Sequence, residues 1–421
     1  MSYKSFKLAL AGIVLLAVAG CDKVNETPAA NAGGDTKPAA TGGDTTTAAN
    51  RPASTGEGNT ATGDTIPIGI VASMSGPQQP WGVDCVNGAK LAVDEFNKAG
   101  GINGKKVILF PMDDASKADQ GKSAVEKLIG DNKVLAIIGE VASGITLQMA
   151  PTCQAKGVPD VAVGATRDEI TDIGNEIFRV CYTDALQGPV MAQFAYKDLG
   201  LRKVAMMTDK TQPYSTGLSK SFAAAFTKLG GTIVKEEFYE TGQTQFTAQL
   251  TNLQKLNPEG VFASGYFPEV GPMVKQAADD GMKIPFFGGD GWDTNNIAQT
   301  GGKAIIGDYY CNHYTNDEKS PEVQNFLTKW TAAYNSKPAT AMGALGYDAT
   351  AVVLNGLKNA KGLNSKDLRD AIDNTVDFKG VTGSITLKGH HGDPPKRALV
   401  VQVQPQGTIF KAAIDPSQLT N

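Results

Sequence analysis

An alternation that runs through the chain twice constrains it most: a short apolar run, then a segment with helical spacing of apolar residues, then another apolar run. The first series begins at "IPIGIVASMSGP", where Ile66, Ile68 and Ile70 share one side of a strand and small polar residues end it. "VNGAKLAVDEFNKAGGI" follows as a helix, with Val86, Leu91 and Phe96 at helical spacing and Gly100-Gly101 as its stop. Strand "KKVILFPMDD", helix "KADQGKSAVEKLIGDN", the continuously apolar strand "VLAIIGE", helix "GITLQMAPTCQAKG" and strand "VPDVAVGA" complete the series. After "IFRVCYTDALQG" the pattern restarts with strands "KVAMMTD", "TIVKEEFY", "GVFASGY" and "PFFGGD", again with helices between them. Two apolar helices, "EVQNFLTKWTAAYN" and "ALGYDATAVVLNGLKNA", lead to the strand-like "SITLKG" and "RALVVQVQPQGTIF". Such alternation predicts an α/β fold with doubly wound parallel sheets covered by helices. The body from residue 66 is too long for one average domain, so two lobes are expected. Ligands of open parallel sheets sit at the carboxyl ends of the strands, which for two facing lobes means a cleft closed by hinge motion.

A different composition precedes the body. Lys4 and Lys7 open the chain, an apolar run extends from Leu8 to Ala19, and Gly20-Cys21 ends it. A charged start, a short apolar core and a small-residue cleavage site describe an export signal over residues 1–20, too short to span a bilayer comfortably. Val18-Ala19-Gly20-Cys21 resembles the lipobox of bacterial lipoproteins, which implies lipidation of Cys21 and a membrane anchor. Asp22 resembles an inner-membrane retention signal. Residues 21–64 are dominated by Gly, Ala, Thr, Asp, Asn and Pro, hold no aromatic residue and have little to bury, so a disordered tether is expected there. At ~5–6 Å × √n it would let the body stand about 35 Å from its anchor.

The net charge of −4, with both signs interspersed, excludes the basic stripe of a nucleic-acid surface. After Cys21, the cysteines Cys85, Cys153, Cys181 and Cys311 form no C-x-x-C pair. An oxidising compartment permits two disulfides. Three pairings are open, with Cys85–Cys153 and Cys181–Cys311 favoured over the others, and four separate buried thiols are the alternative. "GGINGKK" lacks the Ser or Thr of a phosphate loop, His313, His390 and His391 are the histidine bases on offer but none sits in a motif with a nucleophile, and no nucleophile elbow occurs. His390-His391-Gly392-Asp393 reads as a polar turn rather than a metal site. No enzyme, metal or cofactor is expected.

The opening "MSGPQQPWGVDCVNGAKLAVDEFNKAGGINGKKV" is followed in order by "DDAS", "IIGEVASGIT", "GATRDEIT", "FRVCYTDALQG", "DKTQPYSTGL", "GVFASGYFPEVGPMVKQAADDG" and "GGDGW". This ordered set resembles the periplasmic branched-chain amino-acid binding proteins of ABC transporters, which have the type I periplasmic binding protein fold. The resemblance implies lobe I at 65–184 plus 313–393, lobe II at 185–312 plus 394–415, and a multi-strand hinge between them. It also implies an exported receptor that hands an α-amino acid to a membrane permease, and a monomer is expected. Ser143 opens a helix, where a hydroxyl beside free N–H groups suits a carboxylate or caps the helix; the resemblance favours the carboxylate. Ala165 and Thr166 end a strand after Gly164, and the resemblance gives them the carboxylate and the ammonium.

Asp290 ends "PFFGGD", where the resemblance implies Glu; a carboxylate at a cleft partners an ammonium. Tyr214 and Tyr266 follow strands of the second lobe, and the resemblance closes them over the ligand, although Pro213 shifts Tyr214 by one residue. Trp81 is the expected wall of the side-chain pocket, and Trp292 a second candidate. The disulfide implied by the resemblance is missing at both ends, where Ser116 and Ala142 stand, so the staple is expected to have moved to other cysteines. A ligand-sensing receptor, or a binder of an amide, urea or aromatic acid on the same fold, is the alternative reading.

Overall fold

The computed structural model describes residues 51–295, 297–338 and 340–419. The export signal, Cys21, Asp22 and the tether up to residue 50 lie outside the described residues. The first lobe is built on β1 (Thr65–Ala72), α1 (Gln79–Lys98), β2 (Lys106–Asp113), α2 (Ala118–Gly130), β3 (Ile137–Ile138), α3 (Ser143–Lys156), β4 (Asp160–Ala162) and β5 (Ile177–Arg179). Its five strands pair in the order β2-β1-β3-β4-β5, all parallel. Ile66, Ile68 and Ile70 are buried, as in a central parallel strand covered on both faces. The chain leaves β1 for β2 on one side and then returns to β3 on the other. The carboxyl end of β1 is therefore the switch point where such sheets bind ligands.

The second lobe repeats the scheme with α4 (Asp184–Gln193), β6 (Lys203–Asp209), α5 (Pro213–Lys228), β7 (Thr232–Tyr239), α6 (Thr247–Gln254), β8 (Gly260–Ala263), α7 (Phe267–Asp279), β9 (Phe286–Gly288), α8 (Ile297–Gly301) and β10 (Tyr309–Asn312). The chain then returns to the first lobe as α9 (Pro321–Tyr334), α10 (Met342–Asn359) and α11 (Ser365–Asp373). It makes the ribbon β11 (Phe378–Gly380) and β12 (Gly383–Ile385), and ends in the hairpin β13 (Ala398–Val403) and β14 (Thr408–Ile414). The second sheet runs β14-β13-β10-β9-β8-β6-β7, with β13 antiparallel to both of its neighbours, β10 and β14, and the other pairs parallel. Helix α10 lies hard against α1 because both offer glycine: a Cβ on Gly88 would sit 2.1 Å from the Gly343 carbonyl oxygen, and one on Gly346 2.5 Å from that of Cys85. Three crossings join the lobes, and they touch one another. Tyr182 stacks on His313 at 3.7 Å, and the Lys396 ammonium donates to the Val180 carbonyl at 2.9 Å.

Three expectations are corrected. The tether does not extend to residue 64, because the chain from Arg51 is laid along the first lobe. The Arg51 guanidinium donates to the Ile177 carbonyl at 2.5 Å and pairs with Asp373 at 2.8 Å, over the ring of Phe178. The Asn59 amide donates to the Ile129 and Val134 carbonyls, and Thr60 bridges to Asn364. Low apolar content misled the reading here, since this strap is held by hydrogen bonds. The expected disulfides Cys85–Cys153 and Cys181–Cys311 are absent: all four cysteines are free and buried. Cys85 lies in α1 and Cys153 in α3, while Cys181 donates to the Ala165 carbonyl and Cys311 accepts from the Tyr182 hydroxyl. Nor has the missing staple moved to another pair among these four cysteines; the Ser116 hydroxyl instead ties its loop to the one after β1, donating to the Ser75 carbonyl and accepting from the Gln78 N–H. Among the described residues, no helix is long and apolar enough to cross a membrane.

Candidate functional site

The cleft lies where the strand ends of the two sheets meet, and its walls are in contact. From the first lobe come the first turn of α1, the first turn of α3 and the segment after β4. Ser143 is the first residue of α3, and Ala142 holds the cap position. The Ser143 hydroxyl therefore does not cap its own helix but accepts from the Arg167 N–H at 3.2 Å, tying the helix start to the segment that carries Ala165 and Thr166. Ala165 contributes backbone only; its carbonyl accepts from Arg179 at 2.8 Å, and Arg179 is neutralised by Asp393 at 2.6 Å. That pairing gives Asp393 a structural task, and His391 pairs with Asp172 instead. The Thr166 hydroxyl accepts from the Gln187 amide at 3.3 Å.

From the second lobe come Tyr214, Tyr266 and Asp290. Pro213 is the first residue of α5, where its fixed φ and missing N–H are harmless, and Tyr214 follows in the same turn. Tyr266 caps α7 and stacks on Tyr214 with centroids 4.9 Å apart. The Tyr214 hydroxyl accepts from the Gly291 N–H at 2.9 Å, which fixes the turn carrying Asp290. Asp290 is buried; its carboxylate accepts from Gln187 at 3.1 Å and faces His313 Nε2 at 2.7 Å. Trp81 packs edge-on against Tyr266 at 5.2 Å and donates its indole N–H to the Asp293 carbonyl at 2.6 Å. Trp292 is no pocket wall. Its indole lies under Gly288 and donates to the Ala263 carbonyl, inside the second sheet's own core.

The predicted residues thus close into a ring. Trp81 touches Tyr266, Tyr266 stacks on Tyr214, and Tyr214 holds the turn of Asp290. Asp290 then shares Gln187 with Thr166, whose neighbour Arg167 bonds Ser143. Sequence reasoning missed Gln187, Asp184 and His313. The first two stand in "TDALQG", which carries the family resemblance but no chemical signature of its own, and in sequence His313 reads only as a base without a nucleophile motif.

The electrostatics of the ring are one-sided. Burial, helped by the charge of Asp290, pushes the Asp184 carboxyl up to about 8, so it is protonated at neutral pH. Burial lowers the pKa of His313, against the pull of Asp290, and leaves the ring neutral. Both tyrosine phenols are raised well above their ordinary value, by burial first and then by Asp290. The arginine next to the ring, Arg167, points outward to Glu169 and to the Pro213 carbonyl at 3.2 Å. Three buried atoms at or beside the ring have no hydrogen-bond partner among the described residues: the Tyr266 hydroxyl, one Asp184 oxygen and His313 Nδ1.

The family description "Periplasmic binding protein" matches residues 65–408. "Leu/Ile/Val-binding protein homolog 1" of Brucella abortus is 30% identical over 341 residues, covering 80% of this chain and 89% of that protein. The crystal structure of a leucine-binding protein from Thermotoga maritima superposes with a TM-score of 0.80 at 33% identity, covering 84% of this chain and all (100%) of that one. The branched-chain amino acid transporter substrate-binding protein of Streptococcus pneumoniae, solved in complex with isoleucine, gives a TM-score of 0.78 at 31% identity, covering 84% and 100%. With two helix-covered parallel sheets meeting at a cleft, and a family match over nearly the whole body, this chain belongs to the periplasmic binding protein family and has its type I fold.

Proposed function

We propose that this protein is the extracytoplasmic receptor of an ABC importer and that it binds an aliphatic α-amino acid between its lobes. One observation carries the reading. A buried carboxylate, Asp290, stands across the cleft from the start of α3 and from Thr166, and no cation faces it from within the ring. A buried carboxylate without a counter-charge is costly, so the ligand must bring a cation. A helix start and hydroxyls opposite suit an anion. A zwitterion satisfies both ends, whereas an aromatic acid would supply only the anion and leave Asp290 opposed to like charge. Trp81, Tyr214 and Tyr266 supply apolar walls for an aliphatic side chain. The relatives named for leucine, isoleucine and valine support the same class.

In this reading the first lobe takes the carboxylate through Ser143, Ala165 and Thr166. The second lobe brings Asp290 and the tyrosines over the ammonium, and closure follows because the ligand contacts both lobes only when they meet. Export, lipidation at Cys21 and retention by Asp22 would keep the monomeric receptor within reach of its membrane permease. Calorimetry with a panel of amino acids, amides and aromatic acids tests the ligand class. Micromolar binding of leucine, isoleucine or valine, about −8 kcal/mol, is expected. Binding confined to aromatic acids or amides refutes the zwitterion reading. Asp290→Asn should weaken amino-acid binding at least about 30-fold, because a charge-assisted bond is lost; unchanged affinity would remove Asp290 from the ammonium site.

A further inference from the structure

We propose that His313 is a positioning residue for the ligand's ammonium: it holds the Asp290 carboxylate from within the second lobe and the hinge, so that the acid is set before the lobes close. The inference rests on the zwitterion reading above and adds to it a group outside the predicted site.

The geometry begins with strand register. β9 and β10 are adjacent and parallel, with Tyr309 opposite Phe287 and Tyr310 opposite Gly288. Asp290 lies two residues beyond Gly288, and His313 three beyond Tyr310, so both leave the carboxyl ends of neighbouring strands in one sheet. His313 Nε2 meets an Asp290 oxygen at 2.7 Å. The neutral ring has one N–H, and Nδ1 has no partner, so the Nε2–H is the proton that Asp290 accepts. The other Asp290 oxygen accepts from Gln187, whose helix α4 packs closely on α5 of the second lobe: a Cβ on Gly188 would sit 2.5 Å from the Ser221 hydroxyl. Neither bond uses a residue from the first-lobe wall of the cleft, so both survive when the lobes part.

The imidazole is itself held. Tyr182, on the first hinge crossing, stacks on it at 3.7 Å with planes 19° apart, and the Tyr182 hydroxyl donates to Cys311, two residues before His313. The His313 N–H donates to the Asn312 side chain at 2.7 Å, and Asn312 donates to Asp293 at 2.8 Å. A carboxylate with acceptor sites to spare is thus fixed by two neutral donors, which orient it without cancelling its charge. Fixing the group beforehand removes the ordering cost that binding would otherwise meet.

The test compares an amino acid with its 2-hydroxy analogue, in which a hydroxyl replaces the ammonium. The tightest binder among leucine, isoleucine and valine is used, with the full chain and calorimetry. The wild type should prefer the amino acid by about 30-fold or more, the scale of a charge-assisted contact. His313→Leu should weaken the amino acid at least about 10-fold and the hydroxy acid less than about 3-fold, while His313→Gln, whose amide can still donate, should stay within about 3-fold of wild type for both. Equal loss of both ligands in His313→Leu, or an undiminished preference for the amino acid, overturns the positioning role. A wild type that binds both ligands alike overturns the zwitterion reading itself, and the inference with it. Should His313→Leu fail to fold, imidazole ¹⁵N resonances of the ligand-free wild type decide. A protonated, hydrogen-bonded Nε2 before ligand is added is expected, and a protonated Nδ1 instead overturns the proposal.

Discussion

Gly217→Ala separates the energy of lobe closure from the energy of folding, because the two should move in opposite directions. Gly217 lies inside α5, in the second lobe. A Cβ there would stand 1.9 Å from Nη1 of Arg167, 2.9 Å from its Cζ and 3.0 Å from its Cδ; Arg167, a first-lobe residue, supplies all three nearest atoms. The new methyl must therefore displace the guanidinium and break its 3.2 Å bond to the Pro213 carbonyl, a direct bond across the cleft. A hydrogen bond from a charged donor is worth about 1.5–3 kcal/mol, but the Arg167 side chain is 23% exposed and keeps its partner Glu169, so about 1 kcal/mol is the appropriate loss. That is about a five-fold rise in Kd for the amino acid. The folded second lobe loses nothing, and alanine in a helix interior is favoured over glycine by up to about 1 kcal/mol. The ligand-free protein should thus melt at the same or a higher temperature. Calorimetry gives the first quantity and thermal denaturation the second. A lower melting temperature with unchanged affinity would show that Gly217 serves packing within α5 rather than closure, and would refute the reasoning.

Three further outcomes follow from the same geometry. Arg51→Ala should lower stability by about 1–3 kcal/mol in urea, because it leaves a buried carbonyl without its donor; an unchanged midpoint would mean that the strap is not part of the fold. Trp81→Phe keeps the ring but deletes the donor to Asp293, so affinity should fall about three- to ten-fold by calorimetry with little change in melting temperature. Stability should fall as pH rises from 5 to 7. The carboxyls of Asp184 (about 8), Asp293 and Glu176 (both about 7) are raised by burial, so in this window the folded state holds protons that the unfolded state has released. Each contributes at most about 1.4 kcal/mol per pH unit. His313, with its lowered pKa, acts in the opposite sense as pH falls below 6.5. Asp184→Asn should flatten the slope of melting temperature against pH, and an unaltered slope would place the proton uptake elsewhere.

What was legible in the sequence was whatever periodicity or a strand end could mark. Ile66, Ile68 and Ile70 announced a buried strand, and Ser143, Thr166, Tyr266 and Asp290 could be placed because each follows an apolar run that ends in a parallel sheet. The strap from Arg51 is hidden by its composition: it is held by the Ser54 hydroxyl donating to the Gln154 carbonyl and by backbone bonds to Lys156 and Leu363, and no hydrophobic pattern records them. Helix α11 escaped for a related reason, since Leu368 and Ile372 are its only large apolar residues, both buried in the core. The cysteine pairing failed because an even count in an oxidising compartment licenses disulfides without locating them. Each of these thiols is free and buried.

His313 was invisible for the most instructive reason. Its partner Asp290 is 23 residues away, and what joins them is the pairing of β9 with β10, a long-range fact with no local signature. In sequence, the histidine of "CNHYTND" reads only as a base with no nucleophile motif beside it. Burial changes the question. A neutral, enclosed imidazole that donates one hydrogen bond is a scaffold part, and a carboxylate that accepts it is one whose direction has been chosen. The acid at the centre of the cleft therefore belongs to a preset unit of the second lobe, while the anion-binding helix start belongs to the first. A ligand that needs both must draw the lobes together, and of the direct bonds that then form, Arg167 to the Pro213 carbonyl lies outside the ligand's own contacts, while Trp81, which donates to the Asp293 carbonyl, also walls the pocket. Part of the closure energy is consequently carried by residues apart from ligand recognition, so substitutions at 167 and 217 should tune affinity without changing which amino acid is preferred.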